Sequence, residues 1–397
     1  MSAPMTGPEA ADPLAAQALR ELADPGLAAV LGELLDRPAA GVDIAMHPAC
    51  QMLGHSLAAH RDAGLAVSQY FAVALQQEHC VRQLLERLFA DASGAARRDI
   101  DLLDFACGYG RLLRLLVHHH PPARIWAAEI QPEAVAHVAA RYGVHGLASP
   151  PSPEDFVPGR RFAFIWVASL FSHLPDGLFQ RWLARLAGLL TPNGVLCFSV
   201  HDEALLPGHL AMPPSGLHFI GHSENAGLDA SIYGTTFVTA DYVRRAVDGA
   251  LGATHQCARL PRLLAHEQDV YVLPASPTRD LGVLDGLQRG LRGWLDRRAL
   301  GADGLLHLEG WAGSIDPPQD RADGCHVELR MGDGDAGAVQ RVAIDGESAD
   351  VAQVLGLPHL KRCRWSARIV PPAPGTRLTL RVVDNHGRAA LIYSGIQ

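Results

Sequence analysis

Between Asp99 and Ala275, apolar runs of strand length alternate with amphipathic runs of helix length: IDLLDFA, RLLRLLVHH, RIWAAEI, PEAVAHVAARYG, FAFIWVASL, FQRWLARLAGLL and VLCFSVH. No other feature restricts the fold as strongly. Strands buried on both faces read as continuous apolar runs, and parallel neighbours need helical crossovers. The pattern therefore predicts a parallel, doubly wound sheet with helices on both faces. Ahead of it, from His47 to Ala90, the spacing is helical, with Tyr70, Phe71, Val73, Leu75, Val81, Leu84, Leu85 and Leu88 in stripes. Residues 1–45 are rich in Ala and Pro and hold one predicted helix, DPLAAQALRELA, with Asp12 as cap and Pro13 in its first turn.

Beyond Pro274 the pattern changes. An Arg-rich stretch, TRDLGVLDGLQRGLRGWLDRRAL, precedes short alternating segments: LLHLEGWA, CHVELRM, VQRVAI, CRWSARIV and RLTLRVV. Gly, Asp and Pro punctuate them, as in a small β-sandwich. The expected organisation is a helical region over 1–97, an α/β domain over 98–275, a linker over 276–301 and an all-β sandwich over 302–397. A chain of 397 residues with 48% hydrophobic and 19% charged residues has apolar material enough for several packed cores. A net charge of -8 gives no general attraction to a nucleic-acid backbone, so nucleic acid is an unlikely partner. The seven cysteines are scattered and form no CxxC pair, which suggests neither a disulfide framework nor a zinc cluster and fits a reducing, cytoplasmic setting. Neither a secretion signal nor a membrane span is read.

Chemistry concentrates in LLDFACGYGRLLRLL, Leu102 to Leu116: a buried strand, an acidic residue, a glycine turn and an amphipathic run. Glycine lets backbone approach a ligand closely, and a helix start offers amide donors, so Gly108 and Gly110 suit a bound cofactor. A dinucleotide site wants a third glycine, where this chain has Leu113, and Asp104 would repel a pyrophosphate. The same carboxylate suits a cationic ligand without phosphates. S-adenosylmethionine is such a ligand.

On these residues the chain closely resembles the class I S-adenosylmethionine-dependent methyltransferases. Their first motif is an acidic residue followed by alternating glycines, and their second strand ends in another acidic residue; DFACGYG and AAEIQPEAV match both. The resemblance implies a Rossmann-like seven-stranded sheet with S-adenosyl-L-methionine as cofactor, held by Asp104, Ala106, Gly108, Gly110 and Glu129. Glu129, twenty-one residues after Gly108, would accept hydrogen bonds from the ribose hydroxyls. Ala106 departs from the pattern, standing where the first glycine usually lies. FAFIWVASLFSHL resembles the family's fourth strand and following loop, LTPNGVLCFSV its fifth strand, and AHEQDVYVL its last, antiparallel strand. The resemblance covers roughly residues 100 to 275. For the adenine, GVHGLASPPSPEDF lacks an obvious acidic residue after the strand, and Ser149, Glu154 or Asp155 could substitute.

Methyl transfer from a sulfonium is an in-line displacement whose leaving group needs no acid, so positioning supplies much of the rate. A hydroxyl acceptor also benefits from a general base, for which His173, His201 and His222 are candidates. His173 follows the fourth strand and His201 ends the fifth. His222 lies with Glu224 and Tyr233 in FIGHSENAGLDASIYGTTF, an insertion of the kind that forms substrate lids. Each is equally readable as a capping or solvated residue. His118 to His120 read as a polar helix terminus, since contiguous positions cannot converge on one ion; no metal is expected. Cys107 reads as a small packing residue, Trp166 as core, and Phe171 as core or pocket wall.

The expected function is methylation of a small-molecule or glycan hydroxyl, with the sandwich recognising the acceptor or docking a protein partner. The glycan preference rests on a resemblance of the GWAGS-containing module to sandwich domains appended to bacterial surface-polysaccharide enzymes. The alternatives are a non-catalytic cofactor-binding or scaffold protein acting through its sandwich, and a nicotinamide-dependent oxidoreductase, which Leu113 and Asp104 disfavour.

Overall fold

The computed structural model describes residues 13–90, 97–222, 229–317, 324–332 and 338–397. Four helices come first: α1 (Pro13–Ala23), α2 (Pro25–Leu34), α3 (Gln51–His60) and α4 (Ala63–Leu88). Asp24 caps α2, its carboxylate accepting from the Gly26 amide at 3.0 Å with Pro25 in the first turn. Asp12 lies outside the described residues. Next come β1 (Leu102–Phe105), α5 (Leu113–Leu116), β2 (Ile125–Glu129), α6 (Pro132–Tyr142), β3 (His145–Ala148), β4 (Phe162–Val167), α7 (Asp176–Ala187) and β5 (Leu190–Asp202). They are followed by β6 (Leu217–Ile220), β7 (Thr235–Val238), α8 (Ala240–Leu251), β8 (Ala258–Leu264) and β9 (Gln268–Pro274). The last stretch holds β10 (Leu291–Leu300), β11 (Leu306–Ser314), β12 (Cys325–Met331), β13 (Ala338–Ala343), α9 (Ala349–Leu355), β14 (Arg364–Ile369), β15 (Arg377–Asp384) and β16 (Ala389–Ile396).

Two compact units result, one of residues 74–289 and one of 1–73 with 290–397. In the first, β3, β2, β1, β4 and β5 run parallel in that order; β9 pairs antiparallel with β5, and β8 with β9. This is the doubly wound seven-stranded sheet expected from the sequence, including the antiparallel strand in AHEQDVYVL. Two further strands extend it. Beyond Val200, β5 continues through His201 and Asp202 and pairs in parallel with β7, which forms an antiparallel hairpin with β6.

Both faces of this sheet are covered, as continuous apolar runs require. Leu103, Phe105, Ile165, Val167, Leu196 and Phe198 pack with Trp182 and Leu183 of α7 and Val243 and Val247 of α8. The alternate residues Leu102, Phe164, Trp166, Val195 and Cys197 pack with Val81 and Leu84 of α4 and Val138 and Tyr142 of α6. Asp104 belongs to this second set by strand alternation. Of the run RLLRLLVHH, only four residues, Leu113–Leu116, form α-helix.

The other unit is a sandwich of a three-stranded sheet, β10-β11-β14, and a four-stranded sheet, β13-β12-β15-β16. Leu291, Leu308, Val327, Leu329, Trp365, Leu378, Leu380 and Ile392 form its core. Three sequence expectations are corrected here. Residues 291–300, expected within a linker, form β10, because Leu291, Gly293 and Leu295 face inward. The sandwich is not purely β, since α9 intervenes between β13 and β14. The helical region is not separate either: Glu21 accepts from the Ile396 amide at 2.8 Å and from Arg377 at 3.0 Å, and Ser68 Oγ accepts from the Ser394 amide at 2.7 Å.

Candidate active site

The parallel strands β1, β4 and β5 end along one edge of the sheet, where ligands of open α/β folds bind. After β1 the backbone turns through three left-handed positions: Ala106 at φ +60°, Gly108 at +54° and Gly110 at +83°. The two glycines differ in purpose. A Cβ on Gly108 would meet nothing within 4 Å, so that position opens onto space a ligand can use. A Cβ on Gly110 would lie 2.5 Å from Cε2 of Tyr142, so that glycine lets α6 pack against the turn. Ala106 bears the conformation that a glycine would adopt without strain.

Glu129, at the end of β2, is held by backbone amides. Gly108 donates to Oε2 at 2.9 Å, and Ile130 and Gln131 donate to Oε1 at 2.8 and 3.3 Å. This fixes the carboxylate beside the glycine turn before any ligand arrives. Asp104 is 4% exposed, and burial together with the Glu129 charge pushes its carboxyl up to about 8. Among the described residues no cation and no hydrogen-bond donor offsets that penalty. The Cys107 thiol is pushed well up by burial and by the charges of Asp104 and Glu129, which keeps it protonated and a poor nucleophile.

Of the residues considered for the adenine, Ser149 donates its amide to the Glu129 carbonyl at 2.9 Å. Glu154 is taken up by Arg181, whose Nε donates to it at 2.8 Å on the surface. Asp155 is exposed.

The loop after β4 and the end of β5 bring two of the three candidate histidines together. The His173 and His201 ring centroids lie 6.2 Å apart, and Tyr233 stacks on His173 at 4.6 Å and 15°. The segment leading into β7 straps this loop: Gly234 donates to the His173 carbonyl at 2.9 Å, Thr236 donates its amide to Ser172 at 2.7 Å, and Thr236 Oγ1 donates to Leu174 at 2.6 Å. His173 Nδ1 sits 2.6 Å from the Gly234 carbonyl oxygen. His222 stands exposed beyond the end of β6. Glu224 lies outside the described residues.

Ser169, Ser199 and Gln268 do not stand out in the sequence. Ser169 holds φ +60° and donates its amide to Ser199 Oγ at 2.8 Å; Ser199 Oγ lies 2.6 Å from Gln268 Oε1, and Gln268 Nε2 lies 3.3 Å from His201 Nε2. The only signal was one amide side chain opening the apolar strand QDVYVLP.

Trp166 and Phe171 are fully buried core residues. His119 reaches Glu78 at 3.2 Å while His120 meets the Ile100 carbonyl at 2.8 Å, so these two neighbouring rings go to different partners. Among the described residues no group of three or more His, Cys, Asp or Glu could hold a metal ion, and no helix is long and apolar enough to cross a membrane.

A sheet of this order with an antiparallel strand beside β5, and acidic residues at the ends of β1 and β2 around a glycine turn, defines a Rossmann-like methyltransferase fold. Residues 75–243 match the sequence model of the methyltransferase domain family, and the chain carries that domain. No curated protein matches the sequence. Solved structures that match include the 1,6-didemethyltoxoflavin N1-methyltransferase of Burkholderia thailandensis, at 19% identity over 68% of this chain and 93% of that one, with a TM-score of 0.35. An amino pentose methyltransferase from Micromonospora echinaspora matches at 16% identity over 51% of this chain and 90% of that one, with a TM-score of 0.35. An S-adenosylmethionine-dependent methyltransferase from Clostridium acetobutylicum matches at 13% identity over 56% and 98%, with a TM-score of 0.37.

Proposed function

We propose that the protein transfers a methyl group from S-adenosyl-L-methionine to a hydroxyl of a small molecule or glycan in the cytoplasm. One observation carries this reading: a buried carboxyl at Asp104 whose charged neighbour is another carboxylate, beside a turn that leaves room at Gly108. Such a site favours a cationic ligand, and S-adenosylmethionine brings an ammonium and a sulfonium. The fixed Glu129 carboxylate, with both oxygens already oriented, suits a pair of ribose hydroxyls. The free cysteines fit a reducing compartment.

When bound, the cofactor supplies a methyl group whose bond pair stays on sulfur while an acceptor lone pair forms the new bond. The chain's own residues then have two tasks. The turn at Ala106 to Gly110 and the carboxylates hold the donor in line, which is worth several orders of magnitude in rate. His173 and His201, on the same sheet edge, are the candidates for the base that takes the hydroxyl proton. The sandwich unit is assigned acceptor recognition or protein docking.

Calorimetric titration of the purified protein with S-adenosylmethionine and its demethylated product tests the cofactor, with Asp104→Ala and Glu129→Ala alongside. Binding that both substitutions abolish supports the site and justifies screening glycan and small-molecule hydroxyls with a labelled methyl donor. Absence of binding by the folded wild-type protein overturns the reading.

A further inference from the structure

We propose that Ser149 sets the base specificity of the cofactor site: its hydroxyl meets the 6-position of the purine in place of a carboxylate, so the site takes hypoxanthine as readily as adenine. The inference rests on the methyltransferase reading above, and its test separates the two.

The strands that build the donor site stand side by side in the order β3, β2, β1. Asp104, near the end of β1, suits the cationic end of the donor, and Glu129, closing β2, suits its ribose. The base is attached to the far side of the ribose and so falls beside the end of β3. There the register pairs Glu129 with Ala148, and the next residue, Ser149, donates its amide to the Glu129 carbonyl at 2.9 Å. That bond fixes Ser149 next to the ribose carboxylate and commits its amide. The residue is half-buried, and its hydroxyl makes no hydrogen bond among the described residues.

Adenine presents an amine donor at its 6-position and an acceptor at N1. Hypoxanthine presents the reverse, a carbonyl acceptor and an N1–H donor. A carboxylate facing the amine and an amide hydrogen facing N1 tell the two bases apart, because each would oppose a like group on the wrong base. The segment after β3 brings neither. Pro150, Pro151 and Pro153 have no amide hydrogen, and that of Ser149 is already committed. The first carboxylate beyond the strand, Glu154, is taken up by Arg181, whose Nε donates to it at 2.8 Å, and by the Ser152 hydroxyl at 2.8 Å. These bonds, led by that of Arg181, hold the exposed Glu154 carboxyl down to about 2. Asp155 beside it is exposed as well. Carbonyl oxygens of the segment accept from the amine of adenine or the N1–H of hypoxanthine alike. The Ser149 hydroxyl is equally indifferent: it accepts from the amine of one base and turns to donate to the carbonyl oxygen of the other.

Calorimetric titration of the purified protein with S-adenosyl-L-homocysteine and S-inosyl-L-homocysteine tests this, since the two compounds differ only in the base. Wild-type dissociation constants within about threefold of each other are expected, as a hydroxyl serves both bases. Ser149→Ala removes the shared contact and is expected to weaken both compounds by a similar factor, about twofold to tenfold. Ser149→Asp sets a fixed acceptor against the hypoxanthine carbonyl, so the inosyl compound should lose about tenfold or more relative to the adenosyl one. A wild-type preference of more than about tenfold for the adenosyl compound overturns the proposal while the methyltransferase reading stands. Undiminished binding of both compounds by Ser149→Ala also overturns it. Binding of neither compound by the folded wild-type protein overturns both readings. The wild-type comparison decides even if neither variant folds.

Discussion

Ala106 holds φ +60° with a Cβ that crowds its own carbonyl in that region. Ala106→Gly is expected to raise stability by about 1 kcal/mol, read as a higher denaturant midpoint at unchanged slope. An unchanged or lower midpoint would show that the surrounding turn already compensates the strain. Asp104 makes a second, pH-dependent demand. Its folded value, about 8, lies above the ordinary 3.8, so the folded apoprotein binds the extra proton in between. Stability from this group is therefore full below about 4 and falls as pH rises toward about 8. Asp104→Asn removes that decline. A cationic ligand inverts the preference and expels the proton. Calorimetry at pH 7 in buffers of different ionisation enthalpy should show about one proton released per S-adenosylmethionine bound. No release would mean that Asp104 is already ionised in the apoprotein.

At the scale of elements, the strap leading into β7 holds the histidine loop through paired bonds to residues 172–174. Thr236 is fully buried, and its Oγ1 donates to the Leu174 carbonyl at 2.6 Å. Thr236→Val keeps the shape but orphans that carbonyl, at a cost of about 1–3 kcal/mol. Faster amide exchange at Gly234 and Thr236 than at β1 amides would confirm a local strap; uniform change would place the loss in the global core. Elements like this set the limit of what the sequence discloses. β1, β2, β4 and β5 were legible because burial on both faces forces unbroken apolar runs, and Asp104, Gly108 and Glu129 because they sit at the ends of those runs. β10 was hidden: a register shift between Leu295 and Arg297 breaks its alternation, and Gly293 occupies an inward position where an apolar side chain would have marked the strand. The α5 segment looked longer than it is because its apolar spacing continues into Val117 and the histidines, where the chain leaves α-helical form before Pro121. The Ser199–Gln268–His201 chain was illegible because its members come from β5 and β9, and only sheet pairing makes them neighbours.

At the scale of the whole molecule, the first helices and the last strands fold as one unit. Arg377 on β15 is 1% exposed and bonds Glu21 at 3.0 Å and, through Nε, Asp24 at 2.9 Å. Glu21 is itself 1% exposed, and its carboxylate also receives the Ile396 amide. A buried pair of this kind adds little over an apolar pair of equal volume, yet removing one member leaves the other charge uncompensated. Arg377→Met should therefore cost about 3–5 kcal/mol, and Glu21→Leu combined with Arg377→Met should recover much of it. Deleting residues 1–34 removes the acidic partners but leaves Arg377 in place. Hydrogen exchange should then quicken in β15 and β16 while protection in β1, β2 and β4 persists, because those strands belong to the other unit. Equal loss of protection in both sets would mean that the chain unfolds as a single cooperative whole.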